Sequence, residues 1–194
     1  MTRRAALCLA SLALLLAVSA CRPASKLPEL GRAPDFSLTD ERGQPFLSST
    51  LTGKVVIADF VFTTCTDVCP LLSANMAQVR DGLKQRTLLP GKVQILSITV
   101  DPEQDTPAVL QAYAQRFGGG DDGWRFLTGD RTAVETLLTI GFKVGAPAPT
   151  APGSPIVHTS RFVIVDPRGQ IRWYPRGDEV DPGQIVDEVR KLVS

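Results

Sequence analysis

Apolar and polar positions along this chain follow two periods, and the changes from one to the other mark most of its elements. Val55-Val56-Ile57-Ala58-Asp59-Phe60-Val61-Phe62 is an apolar run rich in β-branched and aromatic residues, reached through Gly53-Lys54, and it predicts a buried strand. From Pro70 the period lengthens: Leu71, Leu72, Met76, Val79 and Leu83 predict an amphipathic helix to about Gln85, with the proline near its first turn. Val93 to Val100 predicts a second strand, ended by Asp101-Pro102. Thr106 as N-cap and Pro107 at the first position then open a helix through Val109, Leu110, Tyr113 and Phe117. Trp124 to Leu127 is a short strand, and Asp130 is the candidate cap of a helix from about Thr132 to Ile140. Ala146 to Pro155 holds four prolines and excludes regular structure. Arg161–Val165 and Gln170–Tyr174 predict two strands joined by the turn Asp166–Gly169, and Asp181-Pro182 opens a last helix carrying Ile185, Val186, Val189 and Leu192. At the other end, Asp35–Leu38 and Pro45–Leu47 flank the turn Asp40–Gly43 as a small amino-terminal hairpin.

Where the first long strand hands over to its helix stand two thiols, Cys65 and Cys69, spaced CxxxC. Main-chain N–H groups and the helix dipole favour negative charge at such a junction, which predicts lowered thiol pKa values and a thiolate that attacks disulfides or binds metal. Residues i and i+4 share a helical face, so both sulfurs can meet one small object or, if Cys65 leaves helical geometry, each other. Strand, CxxxC, helix, strand, helix, hairpin and closing helix is the element order of an α/β thioredoxin-like fold: a central mixed sheet flanked by helices, here with an added N-terminal β-hairpin.

The amino terminus reads as an address. Arg3 and Arg4 precede an apolar stretch from Ala5 to Val18, and Val18-Ser19-Ala20-Cys21 resembles a bacterial lipobox. That resemblance implies a signal peptide at 1–20, cleavage before Cys21 and acylation of its side chain, leaving a lipoprotein exported from the cytoplasm and facing the periplasm or cell exterior. Arg22 in the next position leaves inner and outer membrane both open. Residues 21–30 carry Pro23, Ser25, Lys26 and Pro28 without apolar periodicity and predict a flexible tether; residues 31–194 form one domain. The chain has 21 Lys+Arg against 20 Asp+Glu, and loss of Arg3 and Arg4 turns the net charge from +1 to −1, so charge offers nothing to nucleic acid. Processing also discards Cys8 and acylates Cys21, which leaves Cys65 and Cys69 as the free thiols. A disulfide between them would close a loop too small to stabilise the fold much, so a purely structural role is the weaker reading.

Three motifs in order carry a family resemblance. Gly53 to Met76 (GKVVIADFVFTTCTDVCPLLSANM), then Ile98–Pro102 with Asp105-Thr106-Pro107, then His158-Thr159-Ser160 before a strand ending Val165-Asp166-Pro167, resemble the Sco (SenC) family of copper-binding thioredoxin-like proteins. The likeness runs from about Gly31 to the carboxyl terminus and departs from the family pattern at Thr66, Gln104 and Val157. It implies copper, Cu(I) or Cu(II), as cargo on Cys65, Cys69 and His158, and a membrane-anchored chaperone role. The implied partners are the copper-receiving subunit of cytochrome c oxidase and other periplasmic copper chaperones.

The residue inventory agrees. After processing the domain holds two thiols, one histidine (His158) and one methionine (Met76), a set that suits copper and falls short of the four protein ligands of a structural zinc site. Met76 falls on the apolar helix face and reads as core. Asp67 and Asp101 read as solvated or capping, with outer-sphere support as the alternative. Phe60, Trp124 and Trp173 read as core. The rival from another class is a thiol-disulfide oxidoreductase that reduces the target's cysteines, with Cys65 and Cys69 as the catalytic redox pair; a metallochaperone with such an activity needs only the same two thiols. A peroxidase pattern fails because Phe62 stands where a proline is required.

Overall fold

A computed structural model of the chain describes residues 27–121, 123–145 and 159–193. The predicted signal peptide, Cys21, the proline-rich stretch Ala146 to Pro155 and His158 lie outside the described residues.

Among the described residues eight strands form one mixed sheet: β1 (Gly31–Arg32), β2 (Ser37–Asp40), β3 (Pro45–Leu47), β4 (Val55–Val61), β5 (Val93–Thr99), β6 (Trp124–Thr128), β7 (Val163–Val165) and β8 (Gln170–Trp173), in the spatial order β1-β8-β7-β4-β5-β6-β2-β3. β4, β5 and β6 are parallel neighbours, with Val55 opposite Val93 and Ile95 opposite Trp124, and the remaining pairs are antiparallel. Helices α1 (Val68–Gln85) and α2 (Pro107–Phe117) follow β4 and β5; α3 (Arg131–Thr136) follows β6; α4 (Pro182–Leu192) closes the chain. This is the thioredoxin-like arrangement the element order predicts, with the β2–β3 hairpin added beside β6.

Every residue of β4, β5 and β6 is buried, because helices or loops cover both faces. The pleat sends alternate side chains to separate cores. Val55, Ile57 and Val61 join Leu72, Met76 and Val79 of α1, Leu110 and Tyr113 of α2, and Ile185 and Val189 of α4. Val56, Ala58 and Phe60 face Val134 of α3, Leu137, Leu138 and Phe142. Met76, Phe60 and Trp124 are fully buried and Trp173 half-buried, in line with their reading as core. The helix starts also follow the sequence: Thr106, Asp130 and Asp181 each accept a hydrogen bond from a backbone N–H in the first turn of α2, α3 and α4.

Three segments differ from the expectation. The helix expected from Thr132 to Ile140 begins at Arg131 and widens into a π-turn over Leu137–Gly141, where Phe142 N–H reaches Leu137 O at 2.8 Å. The extra residue lets Leu137, Leu138 and Phe142 all reach the core, and Gly141 lies so close to Pro34 that a Cβ there would meet Pro34 Cγ at 2.6 Å. The strand expected from Arg161 starts only at Val163, with Arg161 making an isolated bridge to Arg176. Leu27–Leu30, the end of the expected tether, lie along β8: Leu30 N–H donates to Ile171 O at 2.8 Å, Arg172 donates to the carbonyls of Leu27 and Pro28, and Glu29 pairs with Arg168.

The hairpin is held by a buried ion cluster. Arg125 of β6 pairs with Asp40 and lies 3.5 Å from Glu41 Oε1, while Glu41 Oε2 accepts the Phe126 N–H at 2.9 Å. Among the described residues no helix is long and apolar enough to cross a membrane.

Candidate functional site

The parallel strands β4 and β5 end at the same edge, where chain leaves the sheet and main-chain groups are free to bind. β4 runs out at Val61, and a tight turn closed by Cys65 N–H on Phe62 O (3.2 Å) delivers Cys65 to the start of α1. Asp67, at the N-cap position, is exposed and accepts no capping hydrogen bond. The Cys65 sulfur does so instead, accepting the Cys69 N–H at 3.4 Å. A helix start thus points an amide at the Cys65 sulfur.

Both thiols are free, and both are buried: Cys65 is 8% exposed and Cys69 fully enclosed. The structure brings the pair together as predicted but corrects the expected lowering of pKa for Cys69. Burial, its hydrogen bond with Cys65 and the nearby Cys65 and Asp59 charges push the Cys69 thiol up to about 12, against a smaller lowering by backbone near Phe62. Cost of desolvation exceeds the benefit of the helix start. The two cysteines therefore differ in kind: one seated over an amide near the surface, one sealed in the core.

Beneath them lies a polar layer that the apolar run concealed. Asp59, fully buried on β4, faces the α1 and α2 side by strand alternation; Oδ1 accepts from Ser97 Oγ at 2.5 Å, Ser97 Oγ accepts from Trp124 Nε1 at 2.9 Å, and Oδ2 has no hydrogen-bond partner among the described residues. Burial pushes the Asp59 carboxyl from 3.8 up to about 7, against the opposing hydrogen bond from Ser97. Tyr113 of α2 shares a 2.9 Å hydrogen bond with Ser73 and lies 3.5 Å from the Cys69 carbonyl; burial raises its pKa.

Beside the turn, Asp101 is buried, not solvated, with its N–H on Thr99 Oγ1 at 2.9 Å; burial and then the neighbouring Asp105 raise its pKa. Asp105 is fully buried and accepts from Thr63 and Thr99. Sequence reading gave neither Asp59 nor Asp105 a role. Their signal was available: a carboxylate inside an apolar run, and a second one directly before a helix cap.

The third predicted ligand, His158, lies outside the described residues, and among the described residues no three His, Cys, Asp or Glu side chains cluster to hold a metal. The chain just beyond it is anchored. Ser160 O accepts from Gly177 N–H at 2.7 Å, and Gly177 O accepts from Asn75 Nδ2 at 2.7 Å, on the helix that carries Cys69.

With this geometry in hand, known proteins give a consistent comparison. The SCO1/SenC family model matches residues 26–194. A SCO1/SenC family lipoprotein from Bacillus anthracis superposes with a TM-score of 0.78 at 29% identity, covering 88% of this chain and 99% of that one. BsSco, described as a member of the Sco family of cytochrome c oxidase assembly proteins with a disulfide switch, gives 0.73 at 30% identity over 86% of this chain and 96% of its own. Copper-bound ScoI from Bradyrhizobium japonicum gives 0.69 at 26% identity over 83% and 99%.

Proposed function

Because the chain belongs to the SCO1/SenC family, we propose that it is a copper chaperone, holding the ion on Cys65, Cys69 and His158 and passing it to the copper-receiving subunit of cytochrome c oxidase. The observation that carries this reading is the pairing of the two thiols at the start of α1, in a domain with a single imidazole. Two thiolates and an imidazole suit Cu(I) as a three-coordinate ion and Cu(II) with one further ligand. Ser160 follows His158 by two residues and is tied through Gly177 to α1, which supports a place for the imidazole near the thiols.

Transfer to a partner needs a site that binds at an edge and lets go. Cys65 at the surface side is the sulfur that can engage an incoming thiolate first, while Cys69 stays enclosed until the ion leaves. A copper-bound relative and a relative named among oxidase assembly proteins support cargo and target alike. The lipid anchor on Cys21 is the second part of the proposal, supported by the lipobox-like sequence and by a relative described as a lipoprotein.

The asymmetry of the two thiols also favours a second reading, reduction of the target's disulfide, in which Cys65 attacks and Cys69 resolves the mixed disulfide. The test of the first reading is copper addition to the soluble domain in its dithiol and disulfide forms, followed by metal content and absorption. The dithiol should take up one copper with an intense sulfur-to-copper band and the disulfide none, because a disulfide offers no thiolate. Equal uptake by both forms would remove the cysteines from the site.

A further inference from the structure

The clamp at Asp105 has no part in the ligand set, yet it holds the turn that presents one of the two sulfurs. Its carboxylate is fully buried and collects donors from two segments. Thr63 N–H lies 3.1 Å from Oδ2 and 3.3 Å from Oδ1, Thr63 Oγ1 donates to Oδ1 at 2.5 Å, and Thr99 Oγ1 donates to Oδ2 at 2.5 Å. Its own N–H donates to Asp101 O at 2.9 Å, which fixes it from behind. Thr63 is the second residue of the Phe62–Cys65 turn, and the Cys65 sulfur in turn accepts the Cys69 N–H.

The sheet does not need this clamp. β4 and β5 are already paired from Val55 opposite Val93 to Val61 opposite Thr99, with Val100 N–H on Val61 O beyond the last pair. What lies past that ladder, and is held by Asp105, is the turn. We propose that Asp105 is a positioning residue for the thiol pair: it locks the Phe62–Cys65 turn and so keeps the Cys65 sulfur within reach of Cys69 and of the ion they share. The inference rests on Cys65 and Cys69 being the working pair of the proposed function. A fixed turn raises the effective concentration of one thiol at the other, and releasing the turn lowers it.

The test is the dithiol–disulfide equilibrium of the metal-free domain in glutathione buffers. The protein dithiol gives two electrons and two protons to glutathione disulfide, a Cys65–Cys69 bond forms, and two glutathione thiols are released. Asp105→Asn turns an amide N–H group toward the Thr63 donors, and Thr63→Val removes the hydroxyl while keeping the shape; Thr63→Ser keeps the hydroxyl. The first two should lower the oxidation equilibrium constant about tenfold, which for this couple is about 30 mV, and Thr63→Ser should stay within about twofold of the parent. If Asp105→Asn fails to fold, Thr63→Val against Thr63→Ser decides alone. A lower melting temperature with an unchanged constant in Thr63→Val would overturn the proposal, since it would make the clamp structural only. Copper uptake by the parent, measured beside it, separates the two readings: a shifted constant in a protein that takes no copper keeps the positioning role and removes the copper site. Normal copper uptake with an unchanged constant does the reverse.

Discussion

Replacing Asp59 by asparagine exchanges an ionisable group for a neutral one of the same shape at a fully buried position. In the parent, burial moves this carboxyl from 3.8 to about 7. The folded state therefore holds its proton more tightly than the unfolded chain does. Stability contributed by the protonated group is complete below about pH 4 and declines as pH rises toward 7, because over that window the unfolded chain has released the proton and the folded one has not. At about 1.36 kcal/mol per tenfold change in proton affinity the loss is on the order of 4 kcal/mol. Asparagine keeps an acceptor for Ser97 Oγ but places an N–H group where Oδ2 has no partner, at a cost of about 1–3 kcal/mol that does not depend on pH. The variant should thus be less stable than the parent at pH 4 and more stable at pH 8. Urea unfolding of the reduced, metal-free domain at pH 4, 6 and 8, at fixed ionic strength, reads the difference directly, since the other titrating groups are common to both proteins. A difference that stays constant across that range within about 0.5 kcal/mol would refute the assignment of a raised pKa to Asp59.

Other positions give independent checks. Arg125→Met should destabilise the domain by about 3–5 kcal/mol in urea unfolding, because Asp40 and Glu41 would remain buried without their main countercharge. Gly177→Ala should cost about 1–3 kcal/mol, since a Cβ there would stand 2.4–2.7 Å from the Phe162 ring, and it should also weaken the hydrogen bond to Ser160 O, seen as faster exchange of the backbone amide at position 177. Cys21→Ser should release the protein from membranes without altering the fold, because two or more acyl chains anchor stably; firm retention after carbonate extraction would contradict the lipid anchor.

The fold was legible where one physical requirement dominated a segment. β4, β5 and β6 are buried on both faces and so read as continuous apolar runs, and the caps at Thr106, Asp130 and Asp181 announce helices by their own chemistry. β1 was not legible: two exposed residues paired with Ile171 and Gln170 leave no pattern, and the pairing exists only because β8 offers a free edge. The π-turn at Leu137–Gly141 was equally hidden, since the local pattern continues the helical period through it and its close neighbour at Gly141, Pro34, is remote in sequence. In the site, Cys65 and Cys69 were legible from spacing. Their inequality was not, because it arises from what covers Cys69 and not from its neighbours in sequence. Asp59 sits inside an apolar run, and only the strand alternation that turns it toward Ser97 and Trp124 shows what it does.

His158→Ala tests the proposed copper site of Cys65, Cys69 and His158 most directly. His158 is the only histidine in the chain, so the substitution removes all imidazole from the protein. Cu(II) prefers nitrogen and higher coordination, while Cu(I) can persist on two thiolates in nearly linear geometry. The measurement is the absorption spectrum of the reduced variant after Cu(II) addition, with bound Cu(I) quantified in parallel. The sulfur-to-copper band should disappear, or shift and decay quickly, while part of the Cu(I) binding remains and the thiols stay reactive. A Cu(II) band identical to that of the parent in position, intensity and lifetime would contradict it and bring the oxidoreductase reading to the front.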